Sequence, residues 1–440
     1  MPFSKLGLSD PILKAIAEKG YKAPTPIQKK AIPAILSGKD LVAASQTGTG
    51  KTASFVLPIL EKLNTDHTRR AKRIRALIIS PTRELAEQIE VNVAHYGQYL
   101  NLTSMAMYGG VDSEPQKQRL IEGVDILVAT PGRLLEMIYQ RALHFDELEI
   151  LVMDEADRML NMGFIDDINK IIDRLPEERQ SCLFSATLTD DVRFLAKTVN
   201  DDALEITISP KTTAAPSIDQ WLITVDLDTK SALLSHLINE GEWDQALIFI
   251  EKKHGAAKLV SQLGKRGIKA EAIHGDRSQA MRAKVLGDFK SGEIKFLVAT
   301  GVAARGIDIG ELTRVVNYDL PFKPEEYIHR IGRTGRAGAT GEAISLVAMG
   351  DFKNLCAIES RLGHTIIRKE IEGFPVRKTV PVSILNYVPK NKKPANKSGK
   401  GAGRKTTKSN HKNSHNHENK STNTNTNEGS GKINQHIWGK

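Results

Sequence analysis

Cysteine is scarce in this chain. There are 2 in 440 residues, Cys182 and Cys356. A disulfide scaffold is therefore excluded, and the two do not have metal-ligand spacing. Cys182 lies in the apolar run Ser181-Cys182-Leu183-Phe184 and reads as a buried core thiol in a reducing setting. Long apolar runs are also missing, and none approaches the ~18 residues of a membrane span. The opening Met1-Pro2-Phe3-Ser4-Lys5 has no apolar leader core, so a cytoplasmic protein with no membrane partner is expected. Most of the chain also lacks an excess of either charge. The formal net charge is +10, and residues 389–440 hold 12 Lys and Arg against 2 Asp and Glu. Residues 1–388 are thus formally neutral. The pI near 9.3 describes the tail, and the rest must hold any anionic partner by local geometry.

With 40% hydrophobic and 26% charged residues, the composition is that of an ordinary globular protein with a sizeable core. Short apolar runs rich in branched residues recur at Leu41–Ala44, Ala76–Ser80, Met105–Tyr108, Ile126–Ala129, Ile150–Met153 and Cys182–Ser185. Helical stretches separate them. Such alternation predicts an α/β domain whose parallel sheet is covered on both faces. The rhythm breaks at Ser209–Ser217 and restarts with Trp221–Val225, Ala246–Ile250, Ala270–His274, Phe296–Thr300, Val315–Tyr318 and Ala343–Val347. Two tandem domains of one kind are expected, over 1–205 and 219–370, with a linker at 206–218 and an extension at 371–388. Residues 389–440, rich in Asn, Lys, Ser, Thr, Gly and His with Trp438 as their one aromatic, cannot bury enough apolar surface to offset ordering entropy. They are expected to be a disordered basic tail.

The first run feeds Ser45-Gln46-Thr47-Gly48-Thr49-Gly50-Lys51-Thr52. Strand, Gly-rich loop and helix in that order form a phosphate cradle, because glycines let backbone N–H groups turn inward and the helix adds its positive end. Lys51 is suited to the β/γ-phosphates and the Thr52 hydroxyl to Mg²⁺. Ser45 stands where the strict pattern has Gly. A second apolar run ends in Asp154-Glu155-Ala156-Asp157. Carboxylates at the carboxyl end of a parallel strand face the ligand crevice. Asp154 would hold Mg²⁺ through water, and Glu155 would orient or deprotonate the attacking water. The second half lacks a G-K-[ST] loop. It offers His329-Arg330-Ile331-Gly332-Arg333-Thr334-Gly335-Arg336, whose Arg333 and Arg336 could complete the site as arginine fingers supplied within one chain.

Taken together, these motifs resemble the D-E-A-D-box ATP-dependent RNA helicases of helicase superfamily two, over roughly Phe3 to Val347. The resemblance implies two tandem RecA-like domains. It implies that Gln28 and Tyr21, in Gly20–Gln28, read and stack on adenine. It implies RNA contacts by Thr82 and Arg83, by Gly109 and Gly110, by Thr130 and Arg133, and by Gln279, Arg282 and Thr300, the pair Gln279 and Arg282 serving either RNA or the other domain. Asp308 would reach the ribose. Asp157, Ser185, Thr187, His329 and Arg330 would couple hydrolysis to strand separation. Ribosome-assembly or RNA-decay proteins are implied as partners. The chain departs from the family at Ser45, at Gly301 where Asp usually follows the threonine, and at Lys252 where Thr is usual. The opening Phe3–Leu8 is most similar to the bacterial RhlE-type subgroup. An ATP-gated RNA clamp with little turnover and a DNA helicase are the rival readings.

Sequence-independent RNA binding would then draw on the tail as well as the core. Deleting residues 389–440 is expected to flatten the salt dependence of RNA affinity, since each neutralised phosphate of a single strand adds roughly −0.7 to the log–log slope. Binding titrations over a salt series check this, and an unchanged slope would reject the role.

Overall fold

The computed structural model describes residues 2–45, 48–66, 68–200, 202–208, 218–301, 312–335 and 340–385. Two seven-stranded sheets organise them. The first contains β1 (Leu41–Ser45), β2 (Ala76–Ile79), β3 (Ser104–Met107), β4 (Ile126–Ala129), β5 (Ile150–Met153), β6 (Gln180–Ser185) and β7 (Leu204–Ile208). The second contains β8 (Ile218–Thr224), β9 (Ala246–Ile250), β10 (Ala270–Ile273), β11 (Phe296–Thr300), β12 (Arg314–Asn317), β13 (Gly341–Val347) and β14 (Ile367–Lys369). Strand order is β3-β4-β2-β5-β6-β1-β7 in one and β10-β11-β9-β12-β13-β8-β14 in the other. Counted from each sheet's own first strand, the two orders are the same. All pairings between these strands are parallel. These are the tandem RecA-like lobes expected from the sequence.

The strand sequences explain the layering. Every residue of β1, β2, β4, β5 and β6 is buried, as a sheet covered on both faces requires. Side chains alternate between faces. Ala43, Ile78, Val128, Val152 and Phe184 join the core on one side, while Val42, Leu77, Leu127, Leu151 and Leu183 join the core on the other. The second lobe repeats this, with Ile248, Val298 and Val316 on one face and Leu247, Leu297 and Val315 on the other.

Two strands differ from the sequence reading. Leu204–Ile208 pairs with β1 as an edge strand, so the first lobe runs through residue 208 and the expected linker loses residues 206–208. β8 also begins at Ile218, inside that linker. The remaining 209–217 lie outside the described residues, as does the tail. β14 pairs with β8 and lay unseen inside the second domain. The extension packs on the second lobe: Val380 is buried and its carbonyl accepts from Arg368 Nη1 at 2.6 Å.

Phe184 is fully buried, and its ring centroid lies 5.1 Å from that of Phe55. Phe184→Ala is expected to cost the first lobe about 3–5 kcal/mol. Equilibrium urea unfolding checks this, and a shift below about 1 kcal/mol would contradict it.

Candidate nucleotide and nucleic-acid site

The strand order divides the carboxyl edge of the first sheet in two. The neighbours β5, β6 and β1 end at Asp154, Ser185 and the phosphate loop, whereas β3, β4 and β2 end at Gly109, Thr130 and Thr82. One edge therefore carries the expected nucleotide residues on one half and the expected RNA residues on the other. Ligands of open parallel sheets bind at this edge.

In the loop, Gly48 and Gly50 have φ of 83° and 90°, a conformation glycine adopts without steric cost. A Cβ at Gly50 would also lie 2.5 Å from Gln28 Nε2. Ser45 Oγ and Thr49 Oγ1 are 2.6 Å apart, so the hydroxyl that replaces Gly ties the loop to itself. Lys51 is buried. Its Nζ donates to Ser45 O at 2.6 Å and reaches Ser185 O at 3.5 Å. Burial lowers its pKa, opposed by Asp154, Asp157 and Glu155. Thr52 lines the cavity beside it. Gln46 and Thr47 lie outside the described residues, as do Asp308 and Arg336.

Asp154 and Glu155 are both buried. Burial, followed by the neighbouring Glu155, pushes the Asp154 carboxyl up to about 7. Burial also acts to raise Glu155, yet Arg158, Arg333, Lys51 and His329 together hold it below its ordinary value. Arg158 forms an ion pair with Glu155. Glu155 has φ 52° and ψ 48°, left-handed values that cost a non-glycine residue about 1–3 kcal/mol. Asp157 Oδ2 accepts from Thr187 Oγ1 at 3.0 Å and lies 3.7 Å from His329 Nε2 of the second lobe. Ser185 Oγ donates to Thr187 O at 2.7 Å. Burial depresses His329 to about 4, so the ring is neutral near pH 7 and its contact with Asp157 is not an ion pair there.

These groups share a cavity of about 290 Å³ lined by Gly48, Gly50, Lys51, Thr52, Asp154, Glu155 and, from the second lobe, Arg333. At its other end are Tyr21 and a face of the helix Arg83–Tyr96. Leu85, Gln88, Asn92 and Tyr96 of that helix line it. The sequence reading missed them, although their spacing marks one helical face. The hydroxyls of Tyr21 and Tyr96 are 2.9 Å apart, and Phe3 stacks on Tyr21 at 6.4 Å. Gln28 lies behind the loop. Its Oε1 accepts from Thr25 N at 2.9 Å, and its Nε2 donates to Gly50 O at 3.2 Å.

On the other half, several candidate RNA residues have protein partners. Thr82 caps its helix by accepting from Leu85 N at 3.3 Å. The Arg83 guanidinium fills the space that a Cβ at Gly110 would need; Gly109 has open space there. Arg133 is buried, donating to Glu136 at 2.9 Å and to Val111 O at 2.8 Å. It braces the loop after β3. Thr130 starts the helix Pro131–Tyr139 without using its hydroxyl as a cap. Gln279 and Arg282 start a helix of the second lobe and are buried. Arg282 Nη2 lies 2.6 Å from Glu84 Oε1 of the first lobe, which gives Arg282 a contact between lobes. Thr300 ends β11. Lys252 is exposed and starts the helix Lys253–Gly264 without a side-chain cap.

A parallel-sheet lobe with a Gly-rich loop, whose cavity is also lined by Arg333 from a second lobe of the same topology, defines a nucleotide-driven helicase core. The DEAD/DEAH box helicase family matches residues 25–195, and the helicase conserved C-terminal domain matches 229–338. The DEAD-box ATP-dependent RNA helicase CshA of Geobacillus kaustophilus is 42% identical over 357 residues, covering 81% of this chain and 76% of its own. The ATP-dependent RNA helicase CshA of Listeria monocytogenes is 44% identical over 357 residues, covering 81% and 68%. S. cerevisiae Dbp5 bound to RNA and ADP BeF3 superposes with a TM-score of 0.77 at 33% identity, covering 84% of this chain and 95% of that one. The chain belongs to the DEAD-box ATP-dependent RNA helicases. It is an enzyme that couples ATP hydrolysis to the remodelling of RNA. Both relatives named here carry the CshA name, and neither supports the RhlE-type placement.

Glu84 and Arg282 are both nearly inaccessible, so removing one partner leaves a buried charge. Burial raises the Glu84 carboxyl and Arg282 opposes this. Arg282→Ala is expected to weaken lobe closure by about 3–5 kcal/mol. Fluorescence transfer between dyes on the two lobes checks this, and unchanged closure with ATP and RNA would contradict it.

Proposed function

We propose that ATP and RNA bind along the shared edge and draw the lobes together, and that closure bends one RNA strand out of duplex geometry so that a short duplex melts. The observation that carries this reading is Arg333 of the second lobe, which lines one cavity with Lys51, Asp154 and Glu155 of the first. In it, Lys51 and the loop N–H groups hold the phosphates, Arg333 and Arg336 stabilise the charge of the transferring phosphoryl group, and Glu155 orients the attacking water. Glu155 suits that role because its arginine neighbours favour the ionised form. Tyr21 stacks on adenine, and the remaining N–H of Gln28 is available to its edge. Asp308 reaches the ribose. Each ligand then favours the closed state, so their affinities are reciprocally coupled.

Among the described residues no group of three or more His, Cys, Asp or Glu is placed to hold a metal. Mg²⁺ commonly takes phosphate oxygens and waters for most of its ligands, with only one or two protein donors. The donors present fit that role. Asp154, buried and high in pKa, is a carboxyl that a cation would stabilise, and Thr52 lines the same cavity. Such an ion would neutralise developing charge on the phosphates.

The RNA contacts proposed are Thr82, Arg83, Gly109, Gly110, Thr130 and Thr300, with Arg133, Gln279 and Arg282 shaping the surface, and the basic tail adding sequence-independent affinity. Asp157, Ser185, Thr187, His329 and Arg330 link hydrolysis to closure. No helix among the described residues is long and apolar enough to cross a membrane, and a cytoplasmic role in ribosome assembly or RNA decay agrees with the family. The relatives favour a CshA-type subgroup.

Lys51→Ala and Arg333→Ala, assayed by phosphate release with RNA or DNA of one sequence, test the reading. Arg333→Ala is expected to lower RNA-stimulated turnover by roughly 10³-fold or more, and DNA is expected to stimulate the intact enzyme poorly. Wild-type turnover in Arg333→Ala would refute the shared site.

A further inference from the structure

We infer that Glu326 is a positioning residue for ATP hydrolysis, holding Arg330 through a carboxylate that occupies the space left by the missing side chain of Gly301. The inference rests on the reading that Arg333 works at the phosphates.

Gly301 follows β11 directly. Its φ is not among the positive values, so its backbone does not demand glycine. The Glu326 carboxylate instead takes the space that a side chain there would use. A Cβ at Gly301 would overlap Glu326 Oε1 and come within 3.4 Å of Arg330 Nη2. That oxygen accepts from Arg330 Nη2 at 3.1 Å. Arg330 Nη1 donates to Asp319 O at 2.8 Å, and its guanidinium carbon lies 5.1 Å from the Phe249 ring centroid. An i,i+4 ion pair on an open helix surface contributes little. Here the arginine side chain is 5% exposed and the glutamate 21%, so the pair is largely shielded from water.

The position of this pair gives it a task. Arg330 sits in the last turn of the helix Pro324–Ile331. His329 on one side of it meets Asp157 of the first lobe. Arg333, just past the helix end, lines the nucleotide cavity. One small cavity is walled by Gly301, Glu326, Arg330, His329 and Arg333 together with Arg158 of the first lobe. Fixing Arg330 through these contacts therefore fixes the turn that presents both cross-lobe residues. The space beside Arg330 accommodates one carboxylate. It can come from position 326 with glycine at 301, or from an acidic side chain at 301 with a small residue at 326.

The test is a swap in the full chain, read as kcat and KM for RNA-stimulated ATP hydrolysis with thermal melting alongside. Glu326→Ala is expected to lower kcat about tenfold or more, the size of losing a hydrogen bond to a charged group. KM for ATP should stay within about twofold, because the phosphate cradle is untouched. Gly301→Asp should be impaired to a similar degree, since two carboxylates then compete for one place. The double variant Gly301→Asp/Glu326→Ala should recover most of the lost kcat. Glu326→Gln, which keeps the shape and an acceptor oxygen, should stay within about threefold of wild type. Wild-type kcat in Glu326→Ala, or a double variant no better than its poorer parent at an unchanged melting temperature, overturns the inference. Should Glu326→Ala melt early, Gly301→Asp against the double variant decides by the same rule. Arg333→Ala run in parallel separates the two readings: if it is inactive while Glu326→Ala is not impaired, only the role of Glu326 falls.

Discussion

The structure depends on a shortage of positive charge in the first lobe's own site. Asp154 and Glu155 are adjacent, buried and close to a single lysine. Carboxylates out of water are costly unless cations and hydrogen bonds compensate. Lys51 and Arg158 provide part of that compensation, and Arg333 from the other lobe lies near enough to Glu155 to lower its pKa. The electrostatics of the site therefore span two lobes. This gives a physical reason for the proposed dependence of ATP hydrolysis on closure of the lobes.

The two sheets share one strand order, so equivalent positions can be compared. In the first lobe the carboxylates follow β5. In the second, the equivalent strand is β12, and it leads into the helix that carries His329, Arg330 and, just beyond its end, Arg333. Likewise Gln279 follows β10 and Thr300 ends β11, the counterparts of β3 and β4 with Gly109 and Thr130. A single architecture thus presents acid from one copy and base from the other at matching places.

Much of this was legible in the sequence, and the parts that were not have a common cause. Buried parallel strands such as Ile150–Met153 are visible because every residue in them is apolar. β7 and β14 are edge strands of mixed burial, short and half-polar, so they resemble connecting segments. Motif residues such as Lys51, Asp154 and Arg333 could be singled out because their chemistry narrows what they can do, and the structure lines one cavity with them. Side-chain partners were not visible. Nothing in the spacing of Arg133 or Gln28 reveals that one is bonded to Val111 and the other to Gly50. Gly301 stood only as a departure from the family pattern, and three-dimensional proximity to Glu326 reveals what fills the space beside it.

The seam between the lobes has a distinctive makeup. Among the described residues the apolar clusters belong to one sheet or the other, while polar contacts cross: Arg282 with Glu84, His329 with Asp157, and Lys323 with Asn161 at 2.9 Å. Oil-like surfaces, once joined, separate reluctantly because parting them exposes hydrocarbon to solvent. Charged and amide groups exchange one partner for water with much smaller net change. In the proposed cycle, where the lobes part in every round of hydrolysis, a seam whose described contacts are polar lets the ligands held between the lobes decide how long they stay together.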